Sequence, residues 1–379
     1  MLGMKWQRSR RGVGKIWALC LVLALVATLI LPATASAAQP DARDMEIVKK
    51  AAFKDGQNGG GLPRQFSGQQ FAIITGKLGA LSAGQKGYAI AIGSNYQGSV
   101  AADGQIALVP PFEVELGYAE ADAQSMAGLL AAYGFDTVIP LTGDAASRHN
   151  ILSAIKRIGR LAKPGDEVVF FYSGHGARQY ARGWKEKDRE HRGVGVVHEG
   201  IVSDEGDGKR MDFLWDEELA KEFSGFRTDR IVFVFDMCLA GGMTELAGKG
   251  RIVAGATTST GIAVEVGTAP DGTEINHGLF TFFLLAALSG LVPEADAYDH
   301  LPGVPDVTVE EAYNFASFSL IDLTPLIQGV LAFYYGEEIA ALWATPVIVD
   351  LFRADMLLQA SQSNLRERPQ EPPPFHGKG

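Results

Sequence analysis

Apolar residues in this chain recur in two ways, and the alternation between them predicts the architecture. Tyr88 to Ile92 is a short uninterrupted apolar run closed by Gly93, the form of a buried strand. Leu116, Ala119, Ala123, Met126, Ala127 and Leu130 then recur at helical spacing until Gly134. Phe135 to Leu141 reads as a strand. Ser147 can cap a helix whose apolar face is Ile151, Ile155, Ile158 and Leu161, ended by Pro164-Gly165. Glu167 to Tyr172, Arg230 to Phe235 and Arg251 to Ala256 are further strand-like runs. Leu214 to Phe223 reads as a short helix, and Leu279 to Leu288 as a very apolar helix too short to span a bilayer. Continuous apolar strands alternating with helices imply an α/β fold: a mostly parallel sheet with helices on both faces.

The ends of the chain read differently. Lys5, Arg8, Arg10, Arg11 and Lys15 precede an uncharged apolar run from Ile16 to Leu31, and Ala35-Ser36-Ala37-Ala38 follows. That is the pattern of a secretory signal peptide over 1–38, with an uncleaved anchor as the alternative. Its removal implies an exported protein, periplasmic or secreted, with no stable membrane insertion afterwards. Residues 39–86 are polar and glycine-rich and read as a flexible arm. A single catalytic domain is expected over 87–350, followed by a proline-rich tail over 351–379.

Composition narrows the function. The chain is 47% hydrophobic and 21% charged, enough for a sizeable core. Of 34 basic residues five lie in the leader, leaving 29 against 44 acidic ones, a net of −15. This disfavours nucleic acid and anionic membranes and favours basic peptides. Cys20 lies in the leader, so Cys238 is the one cysteine of the mature chain and no internal disulfide is possible. A lone thiol in an oxidising compartment is either an inert buried cysteine or a reactive group.

In open α/β sheets, functional residues gather beyond the carboxyl ends of strands. One strand here runs into Ser173-Gly-His-Gly176 and another into Asp236-Met-Cys-Leu-Ala-Gly-Gly242. His175 and Cys238 therefore emerge from strand ends, His175 between two glycines and Cys238 shortly before Gly241-Gly242. Thiol catalysis needs that combination: a thiolate, an imidazole to protonate the leaving amine, and exposed backbone N–H groups.

Those two segments resemble the metacaspase and caspase-like peptidase family. Tyr88-Ala-Ile-Ala-Ile-Gly-Ser-Asn95, Leu116-Gly-Tyr-Ala-Glu-Ala-Asp-Ala123, Ser147-Arg-His-Asn-Ile151, Phe280-Thr281, Val307-Thr-Val-Glu-Glu-Ala-Tyr313 and Ala344-Thr-Pro346 match it in order. The resemblance implies a caspase-like α/β/α sandwich around a six-stranded sheet. It implies a cysteine endopeptidase with Cys238 as nucleophile, His175 as acid/base, and the N–H groups of Gly176 and Cys238 as oxyanion hole. Asp122, Ser173 and Asp236 map to the primary specificity pocket. Two carboxylates there suit a guanidinium or ammonium group, so peptide or protein substrates cut after Arg or Lys are expected, by a monomer.

The chain departs from the family at Met237, Leu239 and Ala119, which reshape the pocket walls but keep its charges. The resemblance also implies calcium activation through Asp216, Glu217 and Glu245, although the chemistry itself requires no cofactor. A solvated acidic loop is the alternative for those acids. His191 and His198 read as surface residues. Two other functions remain open: a catalytically silent caspase-like binding module, and a clostripain-type Arg-specific peptidase.

Overall fold

A computed structural model describes residues 71–95, 106–108, 116–181, 196–204, 211–268, 274–298, 300–301 and 306–358. The leader, most of the arm and most of the tail lie outside these residues, as does His191.

In chain order the elements are β1 (Leu78–Gly79), β2 (Gly87–Gly93), β3 (Ile106–Leu108), α1 (Ala119–Ala132), β4 (Thr137–Thr142), α2 (Arg148–Leu161), β5 (Glu167–Ser173), β6 (Gly176–Ala181), β7 (Val196–Asp204) and β8 (Met211–Trp215). There follow α3 (Asp216–Ser224), β9 (Arg230–Asp236), a 3-10 turn (Ala240–Leu246), β10 (Arg251–Gly255), β11 (Glu265–Thr268) and β12 (Glu274–Gly278). The last are α4 (Leu279–Leu288), α5 (Val309–Tyr335), α6 (Glu337–Ala340), β13 (Val347–Asp350) and β14 (Asp355–Met356).

The central sheet has six strands in the order β13-β10-β9-β5-β2-β4. Only the edge strand β13 runs antiparallel. Side chains alternate across a strand, so β2, β5 and β9 feed two cores. Ala89, Ala91, Phe171 and Val234 pack under α1, α4 and α5. Ile90, Ile92, Phe170, Phe233 and Phe235 pack under α2 and α3. Both faces are covered, which is why these strands are continuous apolar runs in the sequence. The fold is the expected α/β/α sandwich.

Three sequence expectations need correction. Leu214 belongs to a strand, because β8 pairs with β7 in a separate four-stranded sheet of order β3-β6-β7-β8, and α3 starts only at Asp216. The last part of the arm is packed on the domain: Ala72 is fully buried and exchanges hydrogen bonds with Asn314. The first part of the tail is packed as well, since β14 pairs in parallel with β1. The folded unit thus extends beyond 87–350 at both ends. Finally, α5 is a 27-residue helix whose N-terminus is fixed by a Thr308–Glu311 capping box.

Candidate active site

The site forms where β5 and β9 end side by side. Ser173 pairs with Asp236 in register, and Gly174 N–H donates to the Asp236 carbonyl at 3.2 Å. One residue further, each chain turns away from the sheet and presents His175 and Cys238 to one cleft. The His175 turn is held from behind. Tyr172 Oη donates within a cluster containing the carbonyls of His175 and Val202, each 2.8 Å away, and Val202 N–H donates to the His175 carbonyl at 3.2 Å.

Gly176 lies against the Cys238 backbone: a Cβ there would fall 1.9 Å from the Cys238 carbonyl oxygen. Only glycine permits the two loops to approach this closely. Gly176 sits opposite Ile201, one step past the Val202–His175 bond. Antiparallel pairs alternate between bonded and non-bonded, so the Gly176 N–H points away from β7. After Cys238 the chain turns through Leu239 in the left-handed region, φ 63°, a conformation costly for leucine. Leu239 N–H is anchored to the Gly261 carbonyl at 2.9 Å.

Cys238 is half-buried, and its Sγ accepts from Ala263 N–H at 3.4 Å. Burial pushes its thiol up to about 11, with the Asp236 charge adding to the effect. At neutral pH the resting thiol is therefore protonated.

Behind the pair lie the two carboxylates. Asp122, in the first turn of α1, is 1% exposed. Its Oδ2 accepts from Ser173 Oγ at 2.6 Å, its Oδ1 contacts His277 Nδ1 at 2.6 Å, and Gly278 N–H points at both oxygens at 3.2 Å. Asp236 Oδ2 accepts from Thr281 N–H at 2.9 Å and Thr281 Oγ1 at 2.7 Å, at the start of α4. The positive end of that helix favours the carboxylate there. A Cβ on Gly278 would lie 2.3 Å from Asp236 and 3.0 Å from Asp122, so both carboxylates close on this glycine. Burial raises both acids. The nearby Asp122 charge helps take Asp236 to about 7. A third acid, Glu265 on β11, lines the same cleft, with its oxygens receiving the N–H groups of Gly117 and Tyr118 at 2.7 and 3.2 Å.

The structure thus brings Asp122, Ser173, His175, Gly176, Asp236 and Cys238 together. It adds Tyr172, Glu265 and His277, which the sequence reading did not single out, and gives Thr281, quoted there only within a matching segment, a place beside Asp236. His277 and Thr281 had one available signal: polar residues crowd the entry to an otherwise apolar helix.

Of the acids expected to hold calcium, Asp216 and Glu217 lie together. Asp216 and Glu217 start α3, whereas Glu245 is exposed on the 3-10 turn. Among the described residues, the donor atoms lying within 4.8 Å of one another belong to His198, Asp216 and Glu217. His198 is not a surface residue: it is 9% exposed, and its Nδ1 lies 2.8 Å from Glu217 Oε1. Calcium takes six to eight oxygen ligands, and an imidazole is foreign to that set. These three residues do not fit calcium.

Comparison with known proteins gives a family match. The caspase-domain family model matches residues 86–304. No curated protein matches the chain. A solved protein of Geobacter sulfurreducens is similar at 20% identity over 55% of this chain and 83% of its own, with a TM-score of 0.39. Caspase-1 from Spodoptera frugiperda is similar at 12% identity over 77% of this chain and 97% of its own, with a TM-score of 0.38.

Proposed function

The chain belongs to the caspase-domain family, and from that membership we propose that it is a cysteine endopeptidase cutting after Arg or Lys. The observation that carries the specificity is the convergence of Asp122 and Asp236 on Gly278, behind Cys238. Two buried carboxylates that close on one glycine at the edge of the cleft suit a guanidinium or ammonium group and repel an acidic one.

In this reading the reaction runs through His175 and Cys238, which line one cleft. The imidazole of His175 takes the Cys238 proton as Sγ attacks the scissile carbonyl, and the N–H groups of Gly176 and Cys238 face the developing oxyanion. The imidazolium gives that proton to the leaving amine. A thioester remains, and a water activated by His175 hydrolyses it, restoring the thiol. Because the resting thiol is neutral, substrate binding has to favour the ion pair; a cation entering beside Asp236 removes one cause of the raised thiol. The same neutral thiol would suit a silent binding module, so activity is the deciding measurement.

Fluorogenic peptides ending in Arg, Lys and Asp separate the readings. Cleavage of the Arg and Lys peptides that disappears in Cys238→Ala supports the peptidase. Cleavage after Asp alone refutes the pocket assignment, and no cleavage by the mature protein refutes the enzyme. We also propose export, on the basic-then-apolar leader, with fractionation of expressing cells as its test.

A further inference from the structure

The wall of the cleft facing the catalytic pair comes from the second half of α5. The first half is a core helix: Val309, Ala312, Tyr313, Ala316 and Leu320 are buried. Past Ile321 the helix stays apolar: Leu323, Ile327 and Leu331 are still buried in the core, while Leu326, Val330 and Tyr334 are covered less. Leu323, Ile327 and Leu331, four apart, form one stripe, and Leu326, Val330 and Tyr334 form the stripe beside it. All six line the cleft that also contains His175, Asp236 and Cys238. The rim is aromatic: Phe333, Tyr334 and Tyr335 are half or more exposed.

A surface helix of a folded domain normally turns polar residues outward. This one places apolar side chains along a cleft of about 350 Å³ whose floor carries carboxylates. The position of the helix is fixed. Trp343 Nε1 donates to Thr324 Oγ1 at 3.1 Å, and Ile262 N–H donates to the Leu342 carbonyl at 3.1 Å, next to the Ala263 that contacts Cys238.

We propose that this half of α5 is a substrate subsite, and that the preferred substrate carries a large apolar side chain beside its basic residue. The proposal deepens the peptidase reading and rests on it. Continuity decides the occupant: the apolar wall and the acidic floor belong to one cleft around one thiol. A ligand filling the cleft must therefore offer a cation and, within a residue or two along an extended chain, an apolar group. An apolar pocket discriminates by about tenfold to a hundredfold for each well-filled group.

The test uses peptides with a fixed Arg whose neighbours on either side are varied among Leu, Phe, Gly and Asp. A Leu or Phe neighbour on one side should raise kcat/KM at least about tenfold over Gly. In Val330→Asp, and in the more exposed Tyr334→Ala should the first misfold, that ratio should collapse towards one. Two results separate the failures. Cleavage after Arg with no apolar preference overturns the subsite while the peptidase stands. No cleavage of any Arg peptide counts against the peptidase itself. Sedimentation with phosphatidylcholine vesicles that Val330→Asp abolishes, together with a ratio near one, assigns the wall to lipid and overturns the subsite.

Discussion

Asp122 with Asp236 and Asp355 with Glu310 are both pairs of deeply buried acids in one domain, yet they do opposite things. Asp355 is saturated by its own chain. Its Oδ1 accepts from Thr75 N–H at 2.7 Å and Thr75 Oγ1 at 2.8 Å, its Oδ2 accepts from Gly76 N–H at 2.7 Å, and His300 Nε2 lies 3.4 Å away. Glu310 accepts from Met356 N–H at 2.8 Å, and burial, with the charge of Asp350, pushes it well above the usual carboxylate range. At the other pair Asp122 is held in the same way by Ser173, His277 and Gly278, whereas Asp236, with Thr281 on one oxygen, lines the cleft that contains Cys238. A buried acid surrounded by amides is a fastener, whereas one facing a cleft is a receptor. Partner geometry makes the difference, since residue type and burial are shared.

Removing one acid from each pair should separate the two roles. Asp236→Asn keeps the shape but removes the charge, and kcat/KM for Arg peptides should fall roughly 10²–10³-fold, the cost of unpairing a buried ion. Equal rates for variant and parent would erase the distinction. Asp355→Ala strips three donors of their acceptor and should destabilise the fold by about 3–5 kcal/mol, read as a lower Tm, with the Arg-over-Asp preference kept. A changed preference would mean that the fastener also shapes the pocket.

A third measurement sharpens the contrast through pH. Asp236 is raised from 3.8 to about 7, so between those values the native state binds more protons than the unfolded chain. Stability contributed by the protonated form is present at acid pH and is lost as pH rises through about 7. Asp236→Asn should therefore be more stable than the parent at pH 8, by about 4 kcal/mol at most, with the advantage vanishing near pH 4. Denaturant melts at the two pH values read this directly. The smallest effect expected is from calcium. With an imidazole among the three gathered donors, calcium and chelator should change the peptidase rate less than about twofold.

Much of the candidate site and of the sheet that carries it was legible from the chain alone, for one physical reason. Strands β2, β5 and β9 are covered on both faces, so their apolar runs are unbroken, and the polar residues where the runs stop are the site: Ser173, His175, Asp236, Cys238. Other parts left weaker traces. Strands β6, β7 and β8 mix polar and apolar residues, and Leu214 there joined an apolar pattern belonging to the next helix. Helix α5 mixes buried polar residues such as Glu310 and Glu311 with exposed apolar ones such as Phe333 and contains Pro325 and Gly329, so its period is blurred in the sequence. Glu265 and His277 come from a hairpin distant in sequence, and only folding brings them to Asp122. The fastener at Asp355 joins residues 280 positions apart, a separation no local pattern encodes.

That fastener also has a topological consequence. Thr75 and Asp355 close nearly the whole domain into a loop, and β1 lying along β14 widens the seam. With Cys238 free and no disulfide among the described residues, the seam acts as a reversible clasp between the two ends of the fold. Ends held this close are natural points for a covalent splice. A circular permutant joining them through a short glycine linker, and opened at an exposed loop away from Cys238, should retain the fold with the clasp made permanent.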